Sequence, residues 1–478
     1  MGSTALRRPT RRRPRPALPA LRPTPKRESA LALRISVSGI RGVIGDGLDA
    51  VVAARWAAAF GAWLPPGPVV VGRDTRPSGP VLLDAVSSAL RSTGHDVVDI
   101  GVASTPTTEM EVQESDAVGG VIITASHNPQ PWNALKLLDG RGLFLGAEAN
   151  AALQVLLDTG RGHVAWDRLG GIARRDGADA RHIAALLALP WLDTRAIAER
   201  GFTAVVDAVE GAGGALVPEL LAALGVRCVP LHCGLTGLFP HPAEPTPANL
   251  ADLSAAVRRE GADLGFAVDP DVDRLVLADA SGRVLNEELT LAVAADFLLG
   301  REPGPVAINL STTALVEVVA ARHGVGVTRT PVGEANVVEA MLREGAVVGG
   351  EGNGGVIYPA LHPGRDALVG IAMVLQHLAD TGLSLAELVD RYPPVAMIKD
   401  KFDQEGPFAA EDIKAGLGVA LGEGAVDDRD GLRWSGPAGW VHMRPSNTEP
   451  IVRVIAEAAS EALARDLVSR ARALCERA

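Results

Sequence analysis

The feature that most constrains the fold is a module that recurs three times along the chain. Each copy reads as an apolar strand, a polar turn, a helix, a glycine and a second strand, and the copies occupy residues 68–100, 203–229 and 306–327. Strands that alternate with helices in this way favour α/β domains in which helices cover a largely parallel sheet. The sequence therefore predicts three similar mixed-sheet α/β domains. The predicted helices of the three copies span residues 78–92, 216–224 and 313–323.

The last 80 or so residues follow a different pattern. Tyr392-Pro393-Pro394 interrupts the alternation, and short strands then lead into a helix over 461–476. This predicts a smaller α+β domain that closes over the other three. The predicted domain ranges are 35–172 (I), 173–285 (II), 286–394 (III) and 395–478 (IV).

Composition excludes several classes of protein. No apolar run reaches the roughly 18 to 20 residues of a membrane span, so we expect no membrane association. Aromatic residues make up only 4% of the chain and the net charge is -11, which argues against nucleic-acid binding. The three cysteines have no metal or disulfide spacing. We expect them to be reduced, as in a cytoplasmic protein.

Residues 1–34 form a distinct N-terminal tail. Its first 27 residues contain nine Arg and Lys and no acid, with many prolines and no hydrophobic period. Such a composition predicts disorder. A polyanion-binding arm is one interpretation, and an idle extension of the chain is the alternative that we favour, because basic runs are usually only solvated charge.

Ser126 follows a predicted buried strand. The β-branched run at 118–123 ends abruptly, and Ser126, His127 and Asn128 come after it. In doubly wound domains the carboxyl ends of strands face the ligand crevice, so the serine hydroxyl is expected at the mouth of a sheet. The same residues also suit an ordinary turn. We expect the charged turn at 73–76 to form a structural ion-pair network near Ser126.

Three carboxylates follow another apolar stretch. Asp269, Asp271 and Asp273 come directly after residues 264–268. Carboxylates this close repel one another and raise each other's pKa unless a cation joins them. Mg²⁺ takes oxygen ligands and keeps positions for water or a phosphate oxygen. We therefore predict a Mg²⁺ site, with a plain acidic turn as the alternative.

Two glycine-rich segments present isolated polar side chains. Residues 38–45 space glycines around Arg41, whose guanidinium suits bidentate contact with phosphate. Residues 349–355 are rich in glycine and are expected to be neither helix nor regular strand. They present the carboxylate of Glu351 and the amide of Asn353, which are the acceptors and donors needed to bind sugar hydroxyls. We expect the downstream pair at 365–366 to orient Glu351. A surface loop and a glycine hinge are the respective alternatives.

A fourth polar loop lies near the C-terminus. Residues 444–450, with Arg453 behind them, group two guanidiniums, two hydroxyls and an amide. Turn backbone N–H groups and guanidiniums together make an anion nest suited to phosphate. A β-turn held by Ser and Asn side chains is the alternative.

These four motifs together resemble those of a known family. Thr-Ala-Ser-His-Asn-Pro at 124–129, Asp-Pro-Asp-Val-Asp-Arg at 269–274, Glu-Gly-Asn-Gly-Gly at 351–355 and Arg-Pro-Ser-Asn-Thr-Glu-Pro at 444–450 occur in the order of the α-D-phosphohexomutases. That family contains the phosphoglucomutases, phosphomannomutases and phosphoglucosamine mutases. The resemblance covers about residues 35–478 and implies a four-domain protein with a central cleft.

The resemblance also implies roles for particular residues. Ser126 would be a phosphoserine whose phosphate coordinates Mg²⁺ together with Asp269, Asp271 and Asp273. The sugar-binding residues would be Glu351, Asn353 and Arg274. The phosphate-binding residues would be Arg444, Ser446, Asn447, Thr448 and Arg453. Arg41, His127 and Lys136 would supply cations, with Lys136 or Arg41 in proton transfer.

The implied reaction moves a phosphoryl group between O6 and O1 of a hexose phosphate through a hexose 1,6-bisphosphate. The 132–136 segment and Asn353 favour glucosamine phosphate, in the manner of archaeal-type phosphoglucosamine mutases, with glucose or mannose phosphate as alternatives. A metal-dependent serine phosphatase and a catalytically silent binding protein are further hypotheses. Many relatives carry His where this chain has Gly355, which leaves the general base open. The expected partner is a small sugar phosphate, and the expected state a monomer or homodimer.

Overall fold

The computed structural model describes residues 33–36, 39–160, 162–404, 406–446 and 451–477. They form four sheets, one in each of four consecutive units. The first three sheets are mixed and the last is antiparallel, so the predicted fold class is confirmed. The prediction for the basic tail falls on residues 1–34, of which 1–32 lie outside the described part of the chain, while Arg34 begins the first strand. Of the described helices, none has the length and apolar character needed to cross a bilayer.

Domain I contains an eight-stranded sheet with the order β1-β2-β7-β6-β4-β5-β8, with β3 paired to β2. Its strands are β1 (Arg34–Ser36), β2 (Gly39–Ile44), β3 (Gly47–Leu48), β4 (Val69–Arg73), β5 (Val97–Val102), β6 (Gly119–Ile123), β7 (Trp132–Asp139) and β8 (Ile172–Arg174). Its helices are α1 (Ala50–Trp63), α2 (Gly79–Ser92), α3 (Thr105–Gln113) and α4 (Ala147–Thr159). Strands β4 and β6 are parallel and almost wholly buried, which explains their apolar runs, whereas β5, parallel to β4, is only partly buried and contains Asp99.

Domain II is a four-stranded sheet with the order β10-β9-β11-β12. Two helices, α5 (Ala178–Leu187) and α6 (Thr194–Glu199), lead into it. Its elements are β9 (Thr203–Asp207), α7 (Gly213–Ala223), β10 (Arg227–Leu231), α8 (Ala251–Glu260), β11 (Leu264–Val268) and β12 (Leu275–Asp279). Strand β11 pairs in parallel with β9 and antiparallel with β12, so the loop at 269–274 is a hairpin connection that follows the carboxyl end of β11.

Domain III has a five-stranded sheet with the order β14-β13-β15-β16-β17. Its strands are β13 (Val306–Asn309), β14 (Val327–Thr330), β15 (Val348–Glu351), β16 (Gly355–Tyr358) and β17 (His362–Arg365). Its helices are α9 (Glu288–Leu299), α10 (Leu315–Arg322), α11 (Glu334–Glu344), α12 (Ala367–Thr381) and α13 (Leu385–Val389).

The prediction that residues 349–355 are neither helix nor regular strand is wrong for most of this segment. Residues 349–351 belong to β15 and Gly355 begins β16, so only 352–354 form the loop. The glycines are needed inside the strand because a Cβ at Gly349 would overlap the carbonyl of Ala307 on β13. Close approach of neighbouring backbones, and not a lack of strand structure, is what these glycines permit.

Domain IV is an antiparallel sheet with the order β18-β22-β21-β20-β19. Its elements are β18 (Ala396–Asp403), α14 (Ala410–Leu421), β19 (Ala425–Asp427), β20 (Leu432–Gly436), β21 (Gly439–Pro445), β22 (Ile451–Ala458) and α15 (Glu461–Cys475). Its own apolar core packs around Trp434 and Met443. The core of domains II and III, by contrast, is continuous and includes Phe266, Leu291 and Leu375. Shared burial of this kind fixes the loops after β11 and β15 relative to one another.

Candidate active site

Ser126 lies at the carboxyl end of β6 in a strained turn. Its φ of 48° is left-handed, which is uncommon for a residue with a side chain. The side chain is buried, and its Oγ donates to Asp269 Oδ2 at 2.6 Å. His127 Nδ1 lies 3.4 Å from the same oxygen. The predicted serine and the predicted acidic loop, 143 residues apart, therefore meet.

The turn is held by a buried guanidinium. Arg76 donates to Asp74 Oδ2 and to the main-chain carbonyls of Ser126 and Asn128, at 3.1, 2.6 and 2.7 Å. It also donates to the carbonyls of Pro129 and Trp132. The ion-pair network predicted near Ser126 is thus confirmed for Asp74 and Arg76. Arg73 instead donates to the carbonyl of Asp74.

The three aspartates form a fully buried cluster. Asp269, Asp271 and Asp273 each place one carboxylate oxygen within 4.8 Å of the others. Burial and the two neighbouring carboxylates raise the pKa of Asp269 well above its usual value. Among the described residues, Asp271 Oδ1 and Asp273 Oδ1 have no hydrogen-bond partner. Orphaned hard oxygens in a shared cluster fit a divalent cation such as Mg²⁺.

Domain I supplies a cation and a hydroxyl to this cluster. Lys136 Nζ donates to Asp271 Oδ2 at 2.7 Å and to Asp273 Oδ2 at 3.3 Å. Burial opposes the charge of Lys136, but Asp271 and Asp273 raise its pKa. Thr105, at the start of α3, donates to Asp271 Oδ2 at 2.6 Å. Nothing in the sequence around Thr105 marks it as part of the site.

Arg365 joins the acidic loop to the glycine-rich loop. Its Nη2 donates to Asp273 Oδ2 at 2.7 Å and its Nη1 to Glu351 Oε2 at 3.0 Å. The prediction that Arg365 orients Glu351 is confirmed. Asp366 does not take part, because it caps α12 and faces His182. Burial opposes the charge of Arg365, but the surrounding carboxylates, Asp273 first, raise its pKa.

The position of the Arg365 side chain explains why residue 355 is a glycine. A Cβ there would overlap Arg365 Cδ, so the guanidinium stem occupies the space above the glycine. The neighbouring Asn353 accepts from the Gly355 N–H through Oδ1 at 3.2 Å, and so helps to shape the loop. A histidine at position 355 is incompatible with this placement of Arg365.

Three further predicted residues line the same region. Arg41 Nη1 donates to Asn128 Oδ1 at 3.2 Å, and its buried Nε has no hydrogen-bond partner among the described residues. Arg274 lies beside the cluster, with its Nε 3.7 Å from Asp273 Oδ1. Burial, followed by the nearby Arg274, lowers the pKa of His127 well below its usual value. Arg41 and Arg274 therefore bring positive charge to the serine turn and the aspartate cluster, whereas burial keeps His127, which was predicted to supply a cation, neutral.

Lys399 from domain IV reaches the glycine-rich loop and was not predicted. Its Nζ donates to Glu287 Oε1 at 2.7 Å and to the carbonyl of Gly352 at 3.1 Å, and it lies 3.0 Å from Glu288 Oε1. Burial, partly offset by Lys399, raises the pKa of Glu288 to about 7. A single lysine in an edge strand gives no sequence signal for this role.

The C-terminal arginine loop is only partly described. Arg444 and Arg453 are opposite one another in the register of β21 and β22, and the Ser446 N–H donates to the carbonyl of Ile451. Arg444 Nε lies 3.4 Å from Asp430 Oδ2 in its own domain. The predicted Asn447 and Thr448 lie outside the described residues. The described part of this loop therefore places two arginines opposite one another at one end of a hairpin.

Comparison with known proteins accounts for nearly the whole chain. Models of the phosphoglucomutase/phosphomannomutase family match through alpha/beta/alpha domains I (34–161), II (180–282) and III (286–395) and the C-terminal domain (397–474). A phosphoglucomutase/phosphomannomutase of Thermococcus kodakarensis is 36% identical over 92% of this chain and 98% of its own length. A "Probable phosphoglucosamine mutase" of Methanopyrus kandleri is 35% identical over 90% of this chain and 95% of its own length. The crystal structure of a phosphoglucomutase/phosphomannomutase family protein from Burkholderia thailandensis superposes with a TM-score of 0.82 at 28% identity, covering 94% of this chain and 97% of that one.

Proposed function

Since this chain belongs to the phosphoglucomutase/phosphomannomutase family, and is therefore a phosphohexomutase, we propose that it interconverts glucosamine 6-phosphate and glucosamine 1-phosphate through a phosphoserine at Ser126. The observation that carries this proposal is the contact between Ser126 Oγ and Asp269 Oδ2 at 2.6 Å, in an acidic cluster that Lys136 and Arg365 also contact. Phosphoryl transfer depends mainly on positioning and on neutralising charge, and both are provided here. The site is built for a phosphorylated serine.

In the proposed reaction, a sugar hydroxyl of the hexose monophosphate attacks the phosphorus on Ser126. The bond from phosphorus to Ser126 Oγ breaks, the proton of the attacking hydroxyl ends on Ser126 Oγ, and a hexose 1,6-bisphosphate forms. This bisphosphate turns over in the cleft, and Ser126 Oγ then attacks its other phosphorus. The bond from that phosphorus to the sugar oxygen breaks, the serine proton passes to the sugar oxygen, and the isomeric monophosphate is released. Arg41 and Lys136 are placed to hold the charge of the transferring group, because both lie next to the serine turn or the acidic cluster.

Asp269, Asp271 and Asp273 would hold Mg²⁺. Bound there, the ion would neutralise charge on the transferring phosphoryl group. The orphaned oxygens of Asp271 and Asp273 support this assignment. Lys136 and Arg365 already neutralise part of the carboxylate charge, so the cluster needs one further cation rather than several.

Glu351, Asn353 and Arg274 are proposed to bind the sugar. Asn353 lies two residues after Glu351, which Arg365 contacts, and its Oδ1 accepts from the Gly355 N–H; the preference for an amino sugar rests on this residue. The relatives are named for glucosamine, glucose and mannose phosphates, so glucose or mannose phosphate is the competing substrate. Arg444, Ser446, Asn447, Thr448 and Arg453 are proposed to bind the non-transferring phosphate. A sugar-phosphate substrate and three free cysteines suit a cytoplasmic enzyme, acting as a monomer or homodimer.

Two experiments test these proposals. Intact mass spectrometry of the wild type should show one phosphate that is lost in Ser126→Ala, with Ser88→Ala, a serine of the α2 surface, as the control that keeps it. Initial rates with glucosamine 1-phosphate and glucose 1-phosphate decide the substrate. A rate at least a hundredfold higher with glucose 1-phosphate would refute the glucosamine assignment.

The competing hypothesis is a metal-dependent phosphatase that uses the same serine. It predicts net release of inorganic phosphate from the hexose phosphate. A mutase conserves phosphate and is stimulated by a catalytic amount of hexose 1,6-bisphosphate. Measuring both inorganic phosphate and product isomer in one reaction separates the two.

A further inference from the structure

A second cluster of ligand-type side chains lies in domain II, separate from the aspartate cluster. Asp207 ends β9 and His232 follows β10, so the two lie at the carboxyl ends of adjacent parallel strands. His241 comes from the segment that connects β10 to α8. One ligand atom from each of these three residues lies within 4.8 Å of the other two. Asp207 is buried and the two histidines are half-buried.

The hydrogen bonds of His241 prepare one ring nitrogen for a metal. Its Nδ1 lies 2.9 Å from the carbonyl of Pro242, which can only accept, so Nδ1 carries a proton. The opposite nitrogen, Nε2, is then directed at Asp207 Oδ2, 3.1 Å away. A histidine that donates one N–H to a backbone carbonyl and turns its other nitrogen inward has the usual outer contact of a metal ligand.

The other two residues complete the set. Asp207 Oδ1 accepts from the Val209 N–H, which fixes the carboxylate and leaves Oδ2 toward the histidines. The rings of His232 and His241 meet edge to face, with centroids 5.5 Å apart. Two imidazole nitrogens and one carboxylate oxygen suit Zn²⁺, whereas Mg²⁺ prefers oxygen ligands alone.

We propose that Asp207, His232 and His241 bind Zn²⁺, or a transition ion of similar preference, with one position left for water. In the metal-free protein Asp207 and His241 pair through a proton, and the ion displaces that proton when it binds. Two ligands from the chain between β10 and α8 and one from the end of β9 would tie that connection to β9.

This tie would act on the segment that packs against the serine turn. Gln130, four residues after Ser126, donates to the carbonyl of Gly237 at 2.7 Å and accepts from the Phe239 N–H at 2.8 Å. The guanidinium of Arg76 also lies over the Phe239 ring, with its Cζ atom 4.8 Å from the centroid of that ring. A metal bound by Asp207, His232 and His241 would therefore restrict the motion of the segment at 237–239, which contacts the serine turn through Gln130, without contacting substrate.

The test uses the full chain, stripped with chelator and kept in excess Mg²⁺ so that the aspartate cluster is filled. Zn²⁺ is titrated against a chromophoric chelator, and bound zinc is counted after gel filtration. Loss of one ligand in His241→Gln or His232→Ala should weaken Zn²⁺ binding by more than about 100-fold, since even outer-contact losses cost 10 to 100-fold. His163→Ala, an exposed histidine of domain I, should bind as the wild type does.

Two further readouts keep the result decisive. Co²⁺ in place of Zn²⁺ should give the intense visible bands of a low-coordinate nitrogen site in the wild type but not in the double variant His232→Ala/His241→Gln. Zn²⁺ should also slow hydrogen exchange across 232–246 in the wild type only. Equal Zn²⁺ affinity of wild type and double variant, with both folded by circular dichroism, would overturn the proposal.

Discussion

Arg76→Lys is the perturbation that most directly tests how the serine turn is held. The five side-chain hydrogen bonds of Arg76 link Asp74 to four main-chain carbonyls, one of them that of Ser126. A lysine keeps the positive charge but has three donors in place of five. At least two of these acceptors therefore lose their donor, and the buried Ser126 turn loses its fixed geometry.

The size of the effect follows from this count. A buried acceptor left without a donor costs about 1–3 kcal/mol, so two of them lower the free energy of unfolding by about 2–6 kcal/mol. Displacement of Ser126 by about 1 Å would in addition reduce kcat/KM by about 100-fold. Arg73→Lys is the matched control, because Arg73 is half-buried and donates to a single carbonyl. We expect it to change stability by less than about 1 kcal/mol.

Three measurements test this prediction. Urea unfolding gives the stability difference, hydrogen exchange of the 120–135 peptide reports the turn, and intact mass gives the fraction of phosphorylated protein. Arg76→Lys should be less stable, exchange faster in that peptide and carry less phosphate. If it instead matched Arg73→Lys in all three, the buried guanidinium would not be what positions Ser126.

Three other predictions concern the contacts between domains and loops. Burial lowers the pKa of His442, which bridges Ser311 and the carbonyl of Asp430, to about 4; the unfolded chain therefore binds more protons between pH 4 and 6.5. The contribution of His442 to stability should fall by about 3 kcal/mol as pH drops through that window, and His442→Gln should remove this contribution from the urea-midpoint profile, whereas an unchanged profile would contradict the assignment. Lys399→Met should lower the free energy of unfolding, measured with urea, by about 1–3 kcal/mol, because Glu287 and the Gly352 carbonyl lose their donor. An unchanged free energy would mean that water replaces the lost donor at this contact of domain IV. Gly355→Ala should reduce kcat/KM by displacing Arg365, while Gly418→Ala, where a Cβ meets open space, should leave it unchanged; equal rates for the two would refute this role of the glycine.

Sequence reasoning located the site where strand ends decide the geometry. Ser126 could be predicted at the mouth of a sheet because it follows a buried strand, whereas its meeting with Asp269 of the next domain was implied by the family resemblance. The same reasoning failed at residues 349–351, where glycines lie inside β15 because neighbouring backbones approach closely. Periodicity cannot distinguish a glycine that loosens a loop from one that admits a close neighbour.

Residues that reach the site across a domain boundary were missed for a physical reason. Thr105 and Lys399 act through contacts with Asp271 and Gly352, which belong to other domains. Their positions depend on how the domains pack, and no local pattern encodes that. Arg365 was recognised only because it follows Glu351 by 14 residues, and the structure places both in one sheet.

The charges of the site explain why its parts depend on one another. The acidic loop of domain II holds three buried carboxylates, and the groups that pair with them come from Lys136 in domain I and Arg365 in domain III. A buried charge without its partner costs several kcal/mol, so isolated domain II would have to expose this loop or protonate it. Docking of the three domains and completion of the site are therefore one event. Because the cations and the carboxylates neutralise each other only when assembled, the conformation in which the proposed site is complete is also the one in which the acidic loop is stable.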